Sequence, residues 1–206
     1  MLRRTILGAA LAASMALAAQ AATLASAVTP LNIRSGPGPE YNVIGAIPVR
    51  GQATVIGCIQ GSLWCQVNFN GKQGWAYSQY LTADVAGRSV VLSEDIAQIP
   101  AATYEVPAAT VGSAVVARPS ISGTLVVPPA NAQPLALNPP PTVNTYIVSH
   151  PLNPVYLNGE VVEGVGLPPD VALSPVPGYD DYQYAYVNSV PVLVEPRTRR
   201  VTYVYR

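Results

Sequence analysis

The sequence predicts an all-β protein: a small barrel, a proline-rich and largely irregular linker, and a small C-terminal antiparallel β meander. Three observations predict it. Between Leu31 and Leu81, short apolar runs are separated by glycine, proline and asparagine turns. Prolines number 21 among 206 residues while only 11% of residues are charged, a composition that argues for small modules and a spacer rather than one large core. The end of the chain then returns to alternating strands.

At the N-terminus, Arg3-Arg4 precedes an uncharged run from Thr5 to Ala19, and small residues follow in Ala19-Gln20-Ala21 and again in Ala25-Ser26-Ala27. This is the pattern of a secretory signal peptide, residues 1–21, with 27 as the alternative end. The apolar run is shorter than the roughly 20 residues a bilayer requires, so no stable membrane span is expected after cleavage. Either end is expected to leave the barrel intact. Export implies a periplasmic or secreted protein.

Residues 28–82 are the expected barrel. Leu31 and Ile33 alternate with Asn32 and Arg34 as in a half-buried strand, which Gly36-Pro37-Gly38-Pro39 cannot continue. Gly61-Ser62 suits a two-residue hairpin, and a four-residue loop from Gln60 to Leu63 gives the same register. Either places Cys58 opposite Cys65, close enough for a disulfide, and closing so short a loop is worth about 2.5 kcal/mol in the chain-entropy picture. Two buried thiols are the plainer alternative, and export favours the bond. No metal site is expected, because these two cysteines and the single His150 cannot complete one, and nothing indicates a cofactor.

The barrel aromatics are the candidate ligand site. With Cys65, Val67 and Phe69 inward, alternation sends Trp64 to the other face, where Trp75 and Tyr77 share a side. A groove of Tyr41, Trp64, Trp75 and Tyr77 could stack on a glycan or peptide, whereas the plainer reading is that so small a barrel needs these rings for packing.

Residues 83–150 are the linker. A strand at Ser89 to Leu92 could pack on the barrel's edge. From Ile96 to Gly159 the only charged residues are Glu105 and Arg118, and proline at such density is expected to block helices and to favour an extended tether. Ala114 to Ala117 and Thr124 to Val127 are apolar enough to pair transiently. His150 has no partner at catalytic or metal spacing and reads as a solvated loop residue.

Residues 151–206 are the second module. Asn158-Gly159 between Val155-Tyr156-Leu157 and Glu160-Val161-Val162 reads as a hairpin. A further hairpin runs from Gln183 to Val194 around Asn188-Ser189, and Arg199 to Tyr205 is a last strand with Val201, Tyr203 and Tyr205 on one face. Asp180-Asp181 reads as a solvated turn. Arg197, Arg199, Arg200 and Arg206, balanced by nearby acids including Glu160, read as mixed surface.

Lys plus Arg and Asp plus Glu both number 11, so no net charge steers the chain to nucleic acid. No serine or cysteine nucleophile has a base nearby in sequence, and no enzymatic activity is expected.

The run Leu31-Asn32-Ile33-Arg34-Ser35-Gly36-Pro37-Gly38, followed by Tyr41, Val43-Ile44-Gly45, Trp64, Val67, Gly71, Gly74-Trp75 and Tyr80-Leu81, resembles the bacterial SH3-like domain of envelope proteins and cell-wall hydrolases. That resemblance implies a non-catalytic domain binding peptidoglycan or peptide. Asn153-Pro154-Val155-Tyr156, Gly159-Glu160-Val161, Leu167-Pro168 and the stretch Tyr184 to Val201 resemble the domain of unknown function 1236 of bacterial envelope proteins, which implies no activity. The expectation is an exported, non-catalytic envelope protein whose barrel binds a cell-wall stem peptide or an envelope protein. A structural assembly role and a cell-wall hydrolase accessory are the alternatives, and the sequence sets no oligomeric state.

Overall fold

The computed structural model describes residues 23–85, 87–104, 121–126 and 138–206, with the side chains of 85, 121 and 122 left aside. The expected signal peptide and the run Ala114 to Ala117 lie outside the described residues. The strands in chain order are β1 (Thr23–Ala27), β2 (Leu31–Arg34), β3 (Val43–Ile47), β4 (Gln52–Cys58), β5 (Trp64–Phe69), β6 (Lys72–Tyr77), β7 (Leu81–Val85), β8 (Arg88–Val91), β9 (Ile121–Thr124), β10 (Tyr156–Asn158), β11 (Ser174–Val176), β12 (Tyr179–Val187), β13 (Val190–Glu195) and β14 (Arg200–Val204). Among the described residues there is one α-helix, α1, which spans Pro141–Ser149.

β1 to β8 form one antiparallel sheet in the order β3-β2-β6-β5-β4-β1-β7-β8. Alternation builds its inner side: Ala25 pairs with Ala53 and Ala83, Val55 with Val67, and Cys65 with Ala76, all buried. Gly74 on β6 has no room for a side chain, since a Cβ would sit 2.4 Å from Ile33 Cγ2. The four-residue loop is the one formed between β4 and β5. Ile59 N–H donates to the Trp64 carbonyl (3.0 Å), and Gly61 takes φ +74° inside the turn. Cys58 and Cys65 pair directly and are joined by a disulfide.

Two expectations are corrected here. The sheet reaches further upstream than residue 28: β1 lies between β4 and β7, so an end at Ala27 would remove an interior strand and not leave the barrel intact. The expectation that proline blocks helices in the linker fails at α1. Proline at the first helical position costs no hydrogen bond, and Val143 and Ile147, one turn apart, bury against Val176, Tyr184 and Leu193. Helix α1 stops at His150, the residue before Pro151, where the proline ring disfavours helical backbone.

Asn158-Gly159 does not close a hairpin. A type I′ turn needs positive φ at both central residues, and only Gly159 has it (+102°). β10 pairs instead with β9, in parallel, and the chain after Gly159 turns toward the barrel. Val126 pairs with Gly166, so the linker run that begins at Thr124 is docked on the second module.

β11 to β14 form the expected antiparallel meander. Asn188 (φ 52°) and Ser189 (φ 63°) supply both positive dihedrals of a type I′ turn between β12 and β13. One detail differs. A register shift between Leu193 and Val194 leaves Thr202 opposite neither, its hydroxyl donating to the Leu193 carbonyl (3.2 Å). Val201 and Tyr203 therefore point to opposite sides, Val201 into the main core and Tyr203 toward α1's cluster.

The two modules share that core. Leu31, Ile33, Trp75 and Tyr77 belong to the same buried cluster as Leu125, Leu157, Val161 and Val165. The modules dock directly on each other, while most of the expected tether, residues 105–120 and 127–137, lies outside the described residues.

Candidate functional site

Strand alternation puts Trp64, Trp75 and Tyr77 on the barrel's outward face, together with Asn32 and Arg34, since Arg34 pairs with Trp75 and Trp64 with Tyr77. That face is not open. Trp64, Trp75 and Tyr77 are only 4%, 3% and 7% exposed, and Tyr41 is half-buried. The expected groove is therefore corrected to a packed layer. Trp64 meets Tyr77 edge-on at 5.2 Å, and Tyr104 sits across the other end, 5.5 Å from Tyr41 and 5.6 Å from Trp75. Residues just before Tyr104 hold it there: Cys58 N–H donates to Pro100 O (2.9 Å) and Ala102 N–H to Cys58 O (2.8 Å). Each ring so covered is worth roughly 4 to 6 kcal/mol by area, as an upper bound.

At the centre of the covered face stands Arg34, with Glu160 of the second module against it; both side chains are fully buried. Arg34 Nε and Nη2 donate to the two carboxylate oxygens, Nη2 at 2.8 Å. Asn32 Nδ2 donates to Oε1 (3.0 Å), as does the Val161 N–H (3.0 Å). The third guanidinium nitrogen, Nη1, donates to the carbonyls of Pro39 (3.1 Å), Tyr41 (2.7 Å) and Asn188 (3.1 Å). A charge taken out of water needs such a full set of partners.

Second-module residues present Glu160. Asn188 accepts from Leu157 N–H (2.8 Å) and donates to Gly159 O (3.0 Å), holding the loop from which Glu160 projects. Arg206 Nε reaches back to Asn32 Oδ1 (2.8 Å) and Nη2 to Pro30 O (2.7 Å), which fixes the amide of Asn32. Burial, reinforced by the Glu160 charge, pushes the Tyr77 phenol above its ordinary value, and burial, Tyr77 and Glu160 together push Tyr80 further still.

The remaining candidates lie apart from this face. His150 stacks on Tyr146 at 4.1 Å and its Nδ1 meets Tyr146 O (2.9 Å) and Ser149 Oγ (3.0 Å) at the exposed end of α1. Asp180 and Asp181 are exposed at the start of β12, not in a turn, and line a shallow cleft with Glu195 and Arg197. The hydroxyl of Thr198 holds the Glu195 carboxyl below its usual range. Arg199 is not loose surface: it donates to the carbonyls of Pro168 (2.7 Å) and Val171 (2.6 Å) and closes the loop after Leu167. Among the described residues, no cluster of three or more His, Cys, Asp or Glu could hold a metal ion, and no helix is long and apolar enough to cross a membrane.

Sequence reasoning found the aromatic face but not its charged centre. Asn32 and Arg34 read as the solvent half of an alternating strand, and Glu160 as one acid among several. The available signal was the register that places Arg34 beside Trp75, together with an acid just after Asn158-Gly159, the first charged residue after a long stretch nearly free of charge.

With this geometry in place, the comparisons with known proteins are consistent with the two modules. Residues 29–82 match the family described as bacterial SH3 domain, and residues 146–206 match the domain of unknown function DUF1236. The two matched segments correspond to the barrel and to the module docked on it. A stretch of 61 residues, 30% of this chain, is 39% identical to the protein named "Putative N-acetylmuramoyl-L-alanine amidase YrvJ" of Bacillus subtilis (strain 168), of which it covers 11%.

Proposed function

We propose that this is an exported, non-catalytic binding protein of the cell envelope, in which the SH3 domain engages peptidoglycan stem peptide or an envelope protein. The observation that carries this reading is the barrel's outward face, where an arginine fork set among aromatic rings receives a carboxylate from another part of the chain. Such a fork, fixed in a water-poor aromatic setting, is chemistry for recognising a peptide rather than for breaking a bond. The amidase-named relative supports a cell-wall setting, although the shared stretch is a small fraction of that protein. The disulfide supports an oxidising compartment outside the cytosol. A second reading, a structural role in an envelope assembly, is favoured by the fact that the same face is covered by the chain's own second module. Sedimentation of the purified full chain with peptidoglycan sacculi tests the first reading. Co-sedimentation above a bovine albumin control supports wall binding, and its absence, with capture of the chain only in cross-linked envelope complexes, supports the second.

A further inference from the structure

We infer that the open cleft between α1 and β14, on the second module, is a binding site for acetamido sugars, and that its occupant is the glycan strand of the cell wall. This deepens the preceding reading and rests on it for the cell-wall setting.

The cleft follows from how much of the meander α1 covers. The helix lies over the centre of the sheet, where Val143 and Ile147 bury against Tyr184 on β12 and Leu193 on β13. Tyr203 on β14 pairs with Leu193 and so stands on the same side of the sheet, one strand further out. Tyr205 follows two residues on, its N–H donating to Pro191 O (3.0 Å). Both rings are only half-buried. They line one side of a cleft of about 570 Å3, and the other side is the exposed stripe of α1 formed by Pro141, Asn144 and Val148. Small-molecule sites occupy roughly 300 to 1,000 Å3, so the cleft has the size of one.

The lining suits a sugar that carries an acetamido group. A tyrosine offers a flat apolar face for the C–H side of a sugar ring and a hydroxyl for its rim. Tyr203 and Tyr205 meet at 4.8 Å and 67°, a corner that sets the face of one ring beside the edge of the other, not a pair of parallel walls between which a proline ridge would seat. On the helix, Asn144 and Val148 are four residues apart and therefore neighbours. The side-chain amide of Asn144 has no hydrogen-bond partner among the described residues, and Val148 is 63% exposed. An acetamido group pairs its own N–H and C=O with such an amide and lays its methyl on such an apolar side chain, whereas a plain hydroxyl offers no methyl. Among the described residues that line the cleft none is acidic, and the single charged one, Arg206, already gives Nε to Asn32 Oδ1 and Nη2 to Pro30 O. A neutral sugar is therefore the matching class, in preference to a cation or a basic peptide. The glycan strand of the wall carries an acetamido group on every sugar.

The test titrates the full chain by calorimetry with N-acetylchitotetraose, whose sugars all carry the acetamido group, and with cellotetraose, which has hydroxyls in its place. Wild type is expected to bind the acetamido sugar at least about ten-fold more tightly, and Tyr203→Ala and Asn144→Ala are each expected to weaken that binding about ten-fold or more. No binding of N-acetylchitotetraose up to about 10 mM, or equal binding of the two sugars, overturns the proposal. Should Tyr203→Ala lower the melting temperature, Val148→Ser, at an exposed position, has to reduce the discrimination between the two sugars without shifting the melt. Undiminished discrimination in that variant overturns the proposal. A hexaproline peptide that binds where the sugar does not, and is lost in Tyr203→Ala, overturns it in favour of a peptide cleft. Wild type that sediments with sacculi but takes no N-acetylchitotetraose overturns the sugar site and leaves wall binding to the barrel. Sugar binding that Asn144→Ala removes, without sedimentation, upholds the cleft's chemistry and overturns the wall glycan as its occupant.

Discussion

Arg34 and Glu160 lie 126 residues apart in the chain and meet with both side chains fully buried, one on the barrel and one on the second module. Removing one partner strands the other charge away from water. Arg34→Met or Glu160→Leu alone is expected to cost about 3 to 5 kcal/mol, whereas the double variant, which leaves no orphan charge, costs less than either single one. Urea unfolding of the four proteins checks this as a double-mutant cycle. Because Ile33 and Leu157 share one core, the wild type is expected to unfold in a single transition.

The Cys58–Cys65 disulfide closes a loop with a sequence separation of only 7. The chain-entropy picture assigns so short a loop about 2.5 kcal/mol. Cys58→Ser with Cys65→Ser is expected to lower stability by roughly that amount without changing the urea dependence. Since Cys58 also holds Pro100 and Ala102, the variant should further loosen Tyr104 over Trp75, which is visible as increased tryptophan quenching by acrylamide.

Alkaline pH should weaken the fold through its buried phenols. Burial, with smaller contributions from Tyr203 and Tyr182, pushes Tyr205 up to about 12, and its buried hydroxyl has no hydrogen-bond partner among the described residues. Burial likewise raises Tyr77 and Tyr80. A folded value raised above the unfolded one means that the unfolded chain releases its proton first. The contribution to stability is therefore whole below about pH 10 and is lost as pH rises from 10 through 12. Absorbance at 295 nm, followed together with circular dichroism, is expected to show phenol ionisation coinciding with unfolding in that window. Tyr205→Phe removes one such group and shifts the midpoint to higher pH.

What the sequence disclosed and what it withheld divide along a physical line. Features decided by near neighbours were legible: the Asn188-Ser189 turn, the Cys58–Cys65 register and the sidedness of Trp64, Trp75 and Tyr77 all follow from alternation and turn chemistry. Features decided by distant partners were not. Asn158-Gly159 carries a strong hairpin signal, yet β9 arrives from more than thirty residues upstream to pair with β10, and Arg34 draws Glu160 inward. Helix α1 has a proline start that local reasoning took as a helix breaker, and its stability comes from Tyr184 and Leu193 of a sheet made later in the chain. The site's aromatic half was read from alternation, whereas its ionic half depends on a contact between modules that no local pattern encodes.

The small residues Ala25, Ser26 and Ala27 fit a cleavage motif and an interior strand equally well in sequence, and the structure makes them a strand. Ala25 faces Ala53 on one side and Ala83 on the other, each at most 4% exposed, so the space between β4 and β7 has room for little more than a methyl group. A chain beginning at Val28 would leave the facing edges of β4 and β7 without their hydrogen-bond partners and open the sheet through its middle. A protein starting at Thr23 is expected to melt cooperatively, whereas one starting at Val28 is expected to lose near-ultraviolet circular dichroism and to bind a hydrophobic dye. If export trims this chain as the Ala19-Gln20-Ala21 motif indicates, mass spectrometry of the exported protein should find an N-terminus at Ala22. A mature protein beginning at Val28 that melts cooperatively would show that the sheet does without β1.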